Sequence, residues 1–271
     1  MEGIVFGVFG LIVGSFLNVL ILRWGKRSLT GRSVCPSCGK QIAWYDNVPM
    51  LSWAILRGVC RYCSTPISPQ YPLVEATMAA LFVLIGLAPL PLIDRIAALP
   101  IAAILFAIAV YDLRTTYIPD AWTYVFIVLA FVTQLLTEFA YLDLGVLLLS
   151  GPAAAALLFA LWLVSKGAWM GFGDVKLALG MGYLLGPLYG FFAVMLAFMI
   201  GAVVSLALLL PLPMIVRMLS RWGLARNSVA PSYTMKSEVP FGPFLVAATF
   251  IVWISTMHGF SFGLEQLVIL P

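Results

Sequence analysis

Two aspartates have the residue type and the position from which hydrolytic chemistry is predicted. Asp112 closes the apolar stretch AAILFAIAVYD, and Asp174 lies in GFGDVK, between two apolar stretches. A carboxylate at the edge of a membrane-spanning stretch is costly, so such residues are functional candidates by default. Two carboxylic acids at one depth can share a proton, so that one activates water while the other protonates the leaving group. The pair predicts aspartyl protease chemistry.

Glycines flank the second of these acids. Gly171 and Gly173 permit close approach of another backbone, which can belong to a substrate chain or to a neighbouring helix. Because VKLALG continues with a helical pattern, capping of that helix is the structural alternative for Asp174. Lys176 is interpreted either as an anchor at the membrane edge or as a group that tunes Asp174.

Four cysteines form a second constellation within one polar segment. They occur as CPSC at 35–38 and CRYC at 60–63. Paired CxxC motifs about 20 residues apart are typical of zinc ribbons, and four sulfur ligands suit a tetrahedral structural zinc ion. A redox dithiol, a disulfide or unliganded thiols are the alternatives. The predicted zinc ligands are Cys35, Cys38, Cys60 and Cys63.

The composition excludes an ordinary soluble domain. Of 271 residues, 63% are hydrophobic and 10% charged, and the mean hydropathy is +1.07, whereas soluble domains carry about 25% charged residues. We therefore predict an all-α polytopic membrane protein with about eight transmembrane helices. The predicted spans are 3–22, 71–88, 95–112, 121–139, 144–165, 175–187, 189–212 and 243–260.

Basic residues set the predicted orientation and domains. The segment 23–70 is rich in lysine and arginine, and placing it in the cytoplasm leaves Arg95 as the only basic residue outside. The opening span lacks a basic n-region and a cleavage site, so it is interpreted as a retained helix. The predicted parts are a first helix at 1–22, a cytoplasmic zinc-ribbon-like domain at 23–70, and a seven-helix bundle at 71–271 that carries both aspartates.

Several stretches together resemble one enzyme family. GFGD at 171–174 matches the GxGD signature of intramembrane aspartyl proteases, and YDLRTTYIPD at 111–120 adds a resemblance to the bacterial type IV prepilin peptidases. GSFLNVLILR at 14–23, the paired CxxC segment at 35–63 and ISPQYPLVE at 67–75 are similar to the same family. The resemblance covers most of the chain.

The resemblance implies a multi-pass enzyme of the bacterial inner membrane with two activities. Such an enzyme removes the short basic leader of prepilins and pseudopilins at the cytoplasmic face, then methylates the new amino terminus with S-adenosylmethionine. Asp112 and Asp174 are implied as the catalytic pair, and the four cysteines as the family's tetrad. The expected partners are pilin precursors, of type IV pili or type II secretion, and membrane lipid. No nucleic acid is expected.

Six further residues are candidates for binding the leader or the methyl donor. They lie in or near the matched blocks: Asn18, Arg23, Asp46, Asn47, Arg57 and Glu75. Each has a structural alternative. Asn18 can bond to a neighbouring helix, Glu75 can favour a helix start, and the others can fold the small insert. Asp120 is predicted to cap a helix.

Two other functions are alternatives. The chain can be a peptidase without methyltransferase activity, in which the zinc domain only recognises the leader. It can also be a transporter or membrane scaffold whose acids bind cations. Transporters often carry repeated halves with broken helices at the membrane midplane, whereas this sequence shows no repeat and places its acids at the membrane edge.

Overall fold

The structure is a computed structural model that describes residues 1–25, 28–137, 144–209 and 240–263. These residues are mostly helical, as predicted. In chain order the helices are α1 (Glu2–Arg23), α2 (Leu51–Ile55), α3 (Gln70–Gly86), α4 (Leu92–Thr115), α5 (Asp120–Thr137), α6 (Leu144–Ser165), α7 (Phe172–Val203) and α8 (Gly242–Met257). A 3-10 turn (Trp44–Asn47) precedes α2, and a π-helical turn (Val204–Leu209) follows α7.

Four of these helices are long and apolar enough to cross a membrane, by length and composition: α1, α4, α6 and α7. Three more, α3, α5 and α8, are apolar but shorter. The predicted spans fall on these seven helices, although the end of 189–212 and part of 121–139 lie outside the described residues. The count of eight spans stays a prediction.

The helix α7 is interrupted at Gly186, which has φ 79° and ψ 173° and is followed by Pro187. Gly190 and Gly182 are in close backbone contact, because a Cβ built on Gly190 would lie only 2.9 Å from the Cα of Gly182. At a rise of about 1.5 Å per residue, these two positions would be about 12 Å apart in a straight helix. The chain therefore folds back at Gly186, and the predicted spans 175–187 and 189–212 fall on the two arms of α7.

The described chain forms two compact units, Met1–Val110 with Met257–Gly259, and Tyr111–Thr256 with Phe260–Pro271. The first unit holds all four cysteines, and the second holds both aspartates of the predicted pair. The boundary falls within α4, close to Asp112. The division into a first helix, a zinc-ribbon-like domain and a seven-helix bundle stays a prediction.

In the first unit, α1 and α3 pack with their backbones in close approach. A Cβ on Gly10 would lie 2.7 Å from the Cα of Ala79, and a Cβ on Gly14 would lie 2.7 Å from the Cα of Glu75. Small residues at such contacts are what membrane helices use to associate, because lipid provides no hydrophobic force between them. Glycine on α1 therefore fixes the position of Glu75 on α3.

In the second unit, α7 packs against both α5 and α6. Gly180 of α7 lies against the ring of Phe126 on α5, and Gly182 lies against the carbonyl oxygen of Ser150 on α6, each too closely for a side chain. These contacts hold the first arm of α7, whose opening turn carries Asp174.

Candidate active site and metal centre

The start of α7 explains the orientation of Asp174, the third residue of that helix. The backbone N–H of Gly171, which precedes the helix, donates a hydrogen bond to the Asp174 carboxylate. The Asp174 N–H returns a bond to the Gly171 carbonyl oxygen over 3.3 Å. This arrangement is the acidic half of a capping box, and a helix N-terminus favours a negative charge. Asp174 thus helps to cap α7, the structural role that the sequence offered as an alternative to catalysis.

The capping contact leaves part of Asp174 unused. Its side chain is buried, with 7% exposure, and its Oδ1 atom has no hydrogen-bond partner among the residues that the structure describes. An unpaired buried carboxylate oxygen carries a desolvation penalty. Asp174 therefore keeps one acceptor oxygen available for a ligand or a proton.

Asp112 lies in the last turn of α4, where the dipole of that helix disfavours a carboxylate. The N-terminus of α8 compensates, because the backbone N–H of Gly242 donates a hydrogen bond to the Asp112 carboxylate. A Cβ on Gly242 would lie 2.6 Å from Asp112 Oδ2. The Asp112 carboxylate is buried, with 4% exposure. A side chain at position 242 would collide with it, so only glycine allows this contact.

The two aspartates are close enough to interact electrostatically. Ile118, in the connection between α4 and α5, packs beside both. A Cβ on Gly173 would lie 3.1 Å from Ile118 Cβ, and a Cβ on Gly242 would lie 3.1 Å from Ile118 Cδ1. The structure therefore brings the predicted pair together within one unit, each acid anchored by one backbone amide.

The two glycines of GFGD serve different purposes. Gly173 packs against Ile118, so that a neighbouring segment of the same chain occupies the space its missing side chain leaves. Gly171 has ordinary extended backbone, with φ −73° and ψ 149°. Among the described residues, a Cβ there would meet nothing closer than Asp174 Oδ2 at 3.8 Å. Within this part of the chain, the space beside Gly171 is therefore open, next to the acid.

Lys176 forms an ion pair with Asp120, the first residue of α5. Its ammonium group also lies 5.4 Å from the centroid of the Tyr124 ring and 5.6 Å from that of Phe172, which are cation–π distances. Lys176 thus joins the first turns of α5 and α7. Of the two interpretations of Lys176, direct tuning of Asp174 finds no support in these contacts, since its carboxylate partner is Asp120.

The four cysteine sulfur atoms all lie within 4.8 Å of one another. The Sγ atoms of Cys35 and Cys63 are 3.7 Å apart. Sulfur atoms about 2.3 Å from a tetrahedral zinc ion are about 3.8 Å from each other. The tetrad predicted from the sequence is therefore close enough together to hold a metal ion.

Each CxxC motif lies in a tight loop closed by an antiparallel bridge, Val34 with Gln41 and Val59 with Pro66. The same hydrogen bond occurs in both loops. The residue four positions after the first cysteine of the motif donates its N–H to the carbonyl oxygen of that cysteine, over 2.9 Å in each loop. That residue is Gly39 in one loop and Ser64 in the other, with φ of 69° and 57°. The two loops therefore present their cysteines in the same way.

Hydrogen bonds within these loops favour the thiolate, the form that binds metal, at Cys35 and Cys63, whereas burial and the neighbouring cysteines raise the pKa of Cys38 to about 11. Backbone amides of Cys38 and Ser37 lower the pKa of Cys35. The hydroxyl and the amide of Thr65 lower the pKa of Cys63 to about 6. The protein thus stabilises charged sulfur at two of the four positions.

The six remaining candidates do not form one site. The structure places Asn18 and Glu75 together between α1 and α3, whereas Arg23 donates to backbone carbonyl oxygens of residues 28–31. Asn47 and Arg57 are exposed on the insert. Asp46 accepts two hydrogen bonds from Arg61, at 2.8 and 2.6 Å, which lower its pKa. Arg23 and Asp46 therefore make contacts that fold the insert, which is the structural role expected for them as an alternative to ligand binding.

Sequence reasoning missed Gly242 and Ile118. The segment PFGPF at 240–244 offered a signal, because a glycine between prolines at the start of an apolar stretch suggests a special backbone contact. The partner of that glycine, Asp112, is far away in the chain and could not be identified from spacing. Ile118 carries no chemical signal at all.

Comparison with known proteins matches two family models to the chain. The bacterial peptidase A24 N-terminal domain matches residues 8–88, and the type IV leader peptidase family matches residues 99–206. The first match contains the four cysteines, and the second contains both aspartates of the pair.

Two relatives match the chain over nearly its whole length, and a third matches a shorter segment more closely. The prepilin leader peptidase/N-methyltransferase of Vibrio cholerae is 30% identical over 93% of this chain and 96% of its own. The protein of the same name from Aeromonas hydrophila is 31% identical, over 94% and 90%. That from Myxococcus xanthus is 53% identical over 28% and 23%. No solved structure matches the chain. The chain belongs to the type IV leader peptidase family.

Proposed function

We propose that this protein cleaves the basic leader from type IV prepilins and pseudopilins and then methylates the new amino terminus. Relatives that share about the full length of the chain are named for both activities. The protein is accordingly a peptidase with methyltransferase activity. The observation that best supports the cleavage mechanism is the interacting pair of Asp112 and Asp174, each anchored by one amide.

The pair acts by general acid–base catalysis. One carboxylate accepts a proton from a water molecule, which attacks the carbonyl carbon of the scissile peptide bond. The other carboxyl group, protonated, donates its proton to the amide nitrogen that leaves. Asp112 is held by Gly242 and Asp174 by Gly171, so both acids are oriented before substrate binds. In this mechanism the unpaired Oδ1 of Asp174 accepts a hydrogen bond from the water or binds the shared proton.

The substrate is an extended segment of the precursor, presented beside Gly171. A helix resists proteolysis because its backbone groups are bonded internally, so the scissile segment must unwind. No described residue fills the space beside Gly171, whereas Ile118 fills the space beside Gly173. Of the two glycines, Gly171 is therefore the one beside which a substrate backbone passes.

The active site lies at the cytoplasmic face of the bacterial inner membrane. The distribution of lysine and arginine supports this orientation. A precursor with a basic leader obeys the same rule, so its cleavage site lies at the same membrane edge. The protein's partners are prepilins, pseudopilins and membrane lipid. Its parts are the first helix, the zinc-binding insert at 23–70 and the bundle from 71 onward.

The cysteine tetrad binds a structural zinc ion. Its sulfur spacing fits tetrahedral coordination by four thiolates, which leaves no open position for catalysis. The insert has too small a core to fold without such a constraint. Zinc held by Cys35, Cys38, Cys60 and Cys63 therefore stabilises the insert.

S-adenosylmethionine is the methyl donor. It supplies an electrophilic methyl group, and the protein binds it and orients the pilin amino terminus toward it. Glu75 and Asn18 are the candidate residues best suited to this binding, since they retain buried acceptor groups in the first unit. Asn47 and Arg57, exposed on the insert, are available to contact the leader.

A reconstituted assay tests this function. The purified protein is incubated with a pilin precursor and S-adenosylmethionine, and the product is analysed by mass spectrometry. We expect loss of the leader followed by gain of one methyl group on the new amino terminus. Cleavage without methyl gain would support the peptidase-only alternative, and an intact precursor would contradict the proposal.

A further inference from the structure

Three polar side chains lie between α1 and α3 in the first unit. Asn18 is 1% exposed, and its Nδ2 donates to the carbonyl oxygen of Tyr71 over 3.1 Å. Its Oδ1 is buried and has no partner in the ranges that the structure covers. Glu75 is 6% exposed, and its carboxylate is hydrogen-bonded by the side chain of Ser15 and, over 2.7 Å, by the backbone N–H of Met50.

The unpaired amide oxygen and the carboxylate are neighbours. Ser15 and Asn18 are three residues apart on α1, and Tyr71 and Glu75 are four apart on α3, so each pair shares one helix face. Because Ser15 bonds Glu75 and Asn18 bonds Tyr71, Asn18 lies one helical turn from Glu75. The two acceptor groups thus border the same buried region.

The charge of Glu75 is not neutralised within the described ranges, where the ion pairs are Arg61 with Asp46, Arg95 with Glu2 and Lys176 with Asp120. Arg23, the basic residue of α1, donates to the carbonyl oxygens of residues 28–31 instead. A buried carboxylate without a counter-charge is unfavourable, as is a buried carbonyl without a donor. Glu75 lacks a positive charge and the Asn18 amide oxygen lacks a hydrogen-bond donor, and one cationic donor would supply both.

A strained loop covers this region. Met50 has φ 56° and ψ −47°, a conformation that residues with a side chain rarely adopt. Ser52 holds the loop, accepting from the Val48 N–H over 3.0 Å and donating to the Tyr45 carbonyl over 2.9 Å. Since Met50 is bound to Glu75 through its amide, a ligand that reaches the carboxylate must displace or join that contact.

We propose that Ser15, Asn18 and Glu75 form a binding site for a primary ammonium group beneath the loop 48–52. An ammonium group carries one positive charge and three N–H donors, which match a carboxylate and an unpaired amide oxygen. An anion would be repelled by Glu75, and an apolar group would leave the Asn18 oxygen unpaired and the Glu75 charge uncompensated.

This inference rests on the proposed function, whose methylation step brings together two such groups. One is the new amino terminus of the cleaved pilin, and the other is the amino-acid end of S-adenosylmethionine. The shared chemistry is the primary ammonium, and the experiment distinguishes its sources.

The first variant is Glu75→Gln in the full-length protein, because glutamine keeps the volume and an acceptor for Met50 but removes the charge. We expect methylation of pre-cleaved pilin to fall at least tenfold relative to precursor cleavage. If the donor amine binds here, S-adenosylhomocysteine, titrated without pilin, binds at least tenfold more weakly. If the pilin amine binds here, that binding is unchanged and the KM for pre-cleaved pilin rises at least tenfold.

A second variant, Asn18→Leu, removes the unpaired acceptor at similar volume, together with the Nδ2 donor to the Tyr71 carbonyl oxygen. If Oδ1 binds nothing, loss of that donor lowers the Tm and leaves KM and Kd unchanged, whereas we expect the KM or Kd that rises in Glu75→Gln to rise clearly here too. Glu2→Gln is the matched control, since it removes the charge of an exposed carboxylate in the same unit that pairs with Arg95 outside the site, and its KM and Kd should stay near those of the wild type.

The outcomes separate the two proposals. A wild-type protein that neither cleaves nor methylates would contradict the proposed function itself. If the wild type performs both reactions and both variants retain wild-type KM and Kd values, the ammonium site is wrong. A parallel fall of cleavage and methylation with a lowered Tm would also overturn it, because it would show a purely structural role.

Discussion

The backbone N–H of Gly242 donates a hydrogen bond to the carboxylate of Asp112, and a Cβ on Gly242 would lie 2.6 Å from Asp112 Oδ2. The last described helix therefore begins against one of the two acids. The other acid, Asp174, depends on the amide of Gly171 at the start of its own helix. Two helix N-termini thus hold the pair, and this arrangement leads to the first prediction.

Replacement of Gly242 by alanine should impair cleavage without unfolding the protein. The added methyl group must displace the Asp112 carboxylate, and misplacement of a catalytic group by about 1 Å can reduce a rate about 100-fold. We expect kcat for precursor cleavage to fall at least tenfold while KM changes little. Gly201→Ala is the control, because a Cβ there would lie 3.3 Å from a ring atom of Phe244, which can turn. Equal rates for both variants would show that the Gly242 contact is unimportant.

The ion pair of Lys176 with Asp120 should help to position the start of α7. Lys176 is 17% exposed and Asp120 is 52% exposed, so solvent weakens the pair and the coupling should be about 0.5–1 kcal/mol. A double-mutant cycle with Lys176→Met and Asp120→Asn, read from unfolding in detergent, measures it. We also expect slower cleavage in Lys176→Met. If the changes in the free energy of unfolding of the two single variants add up to that of the double variant, the prediction is contradicted.

Removal of the metal should unfold the insert. A strong chelator or Cys35→Ser should release the ion and lower the Tm of the protein. Cobalt(II) bound in its place should show the absorption bands of tetrahedral thiolate coordination. Retention of the Tm after complete removal of metal would contradict a structural role.

Acidification should weaken metal binding by the same tetrad. The pKa of Cys63 is lowered to about 6 by Thr65, so its thiolate is present above about pH 6 and is lost below it. Because protons compete with metal for thiolates, affinity should fall as the pH drops through this range. Thr65→Val should move the loss of metal to higher pH, which competition with a coloured chelator measures.

The contact between α1 and α3 should tolerate no side chain at its closest point. Gly10→Ala places a Cβ 2.7 Å from the Cα of Ala79, and such overpacking costs about 1–3 kcal/mol. Gly3→Ala is the matched control, because its Cβ would lie 3.3 Å from Leu87 Cδ2, the end of a flexible side chain. Equal Tm values for the two variants would argue against the packing.

The sequence predicted those features that depend on residue type and local pattern. Hydropathy predicted the helices, the CxxC spacing predicted the close cysteine tetrad, and the cost of charge near the membrane singled out Asp112 and Asp174. The break at Gly186 lies at the end of the predicted span 175–187, just before the next predicted span at 189–212. These features are local, so one stretch of sequence carries the whole signal.

Contacts between distant segments could not be predicted in this way. The bond from Gly242 to Asp112, the packing of Ile118 and the pairing of Lys176 with Asp120 depend on which helix ends meet. Arg23 and Asp46 were candidates for ligand binding, yet their charges are engaged by the insert itself. Polar residues in a small domain can serve either folding or ligand binding. Only the groups that they contact in the structure distinguish these two roles.

The most direct test of the account compares precursor cleavage by the wild type, Asp112→Asn, Asp174→Asn and the double variant. Asparagine keeps the size of each side chain but cannot exchange the proton that hydrolysis needs. We predict that each single variant cleaves at least about 1,000-fold more slowly, and that the double variant is no slower, because the two acids act as one unit. Metal content and methylation of pre-cleaved pilin should stay near wild type and verify folding. Cleavage at the wild-type rate by either single variant would contradict the two-aspartate mechanism.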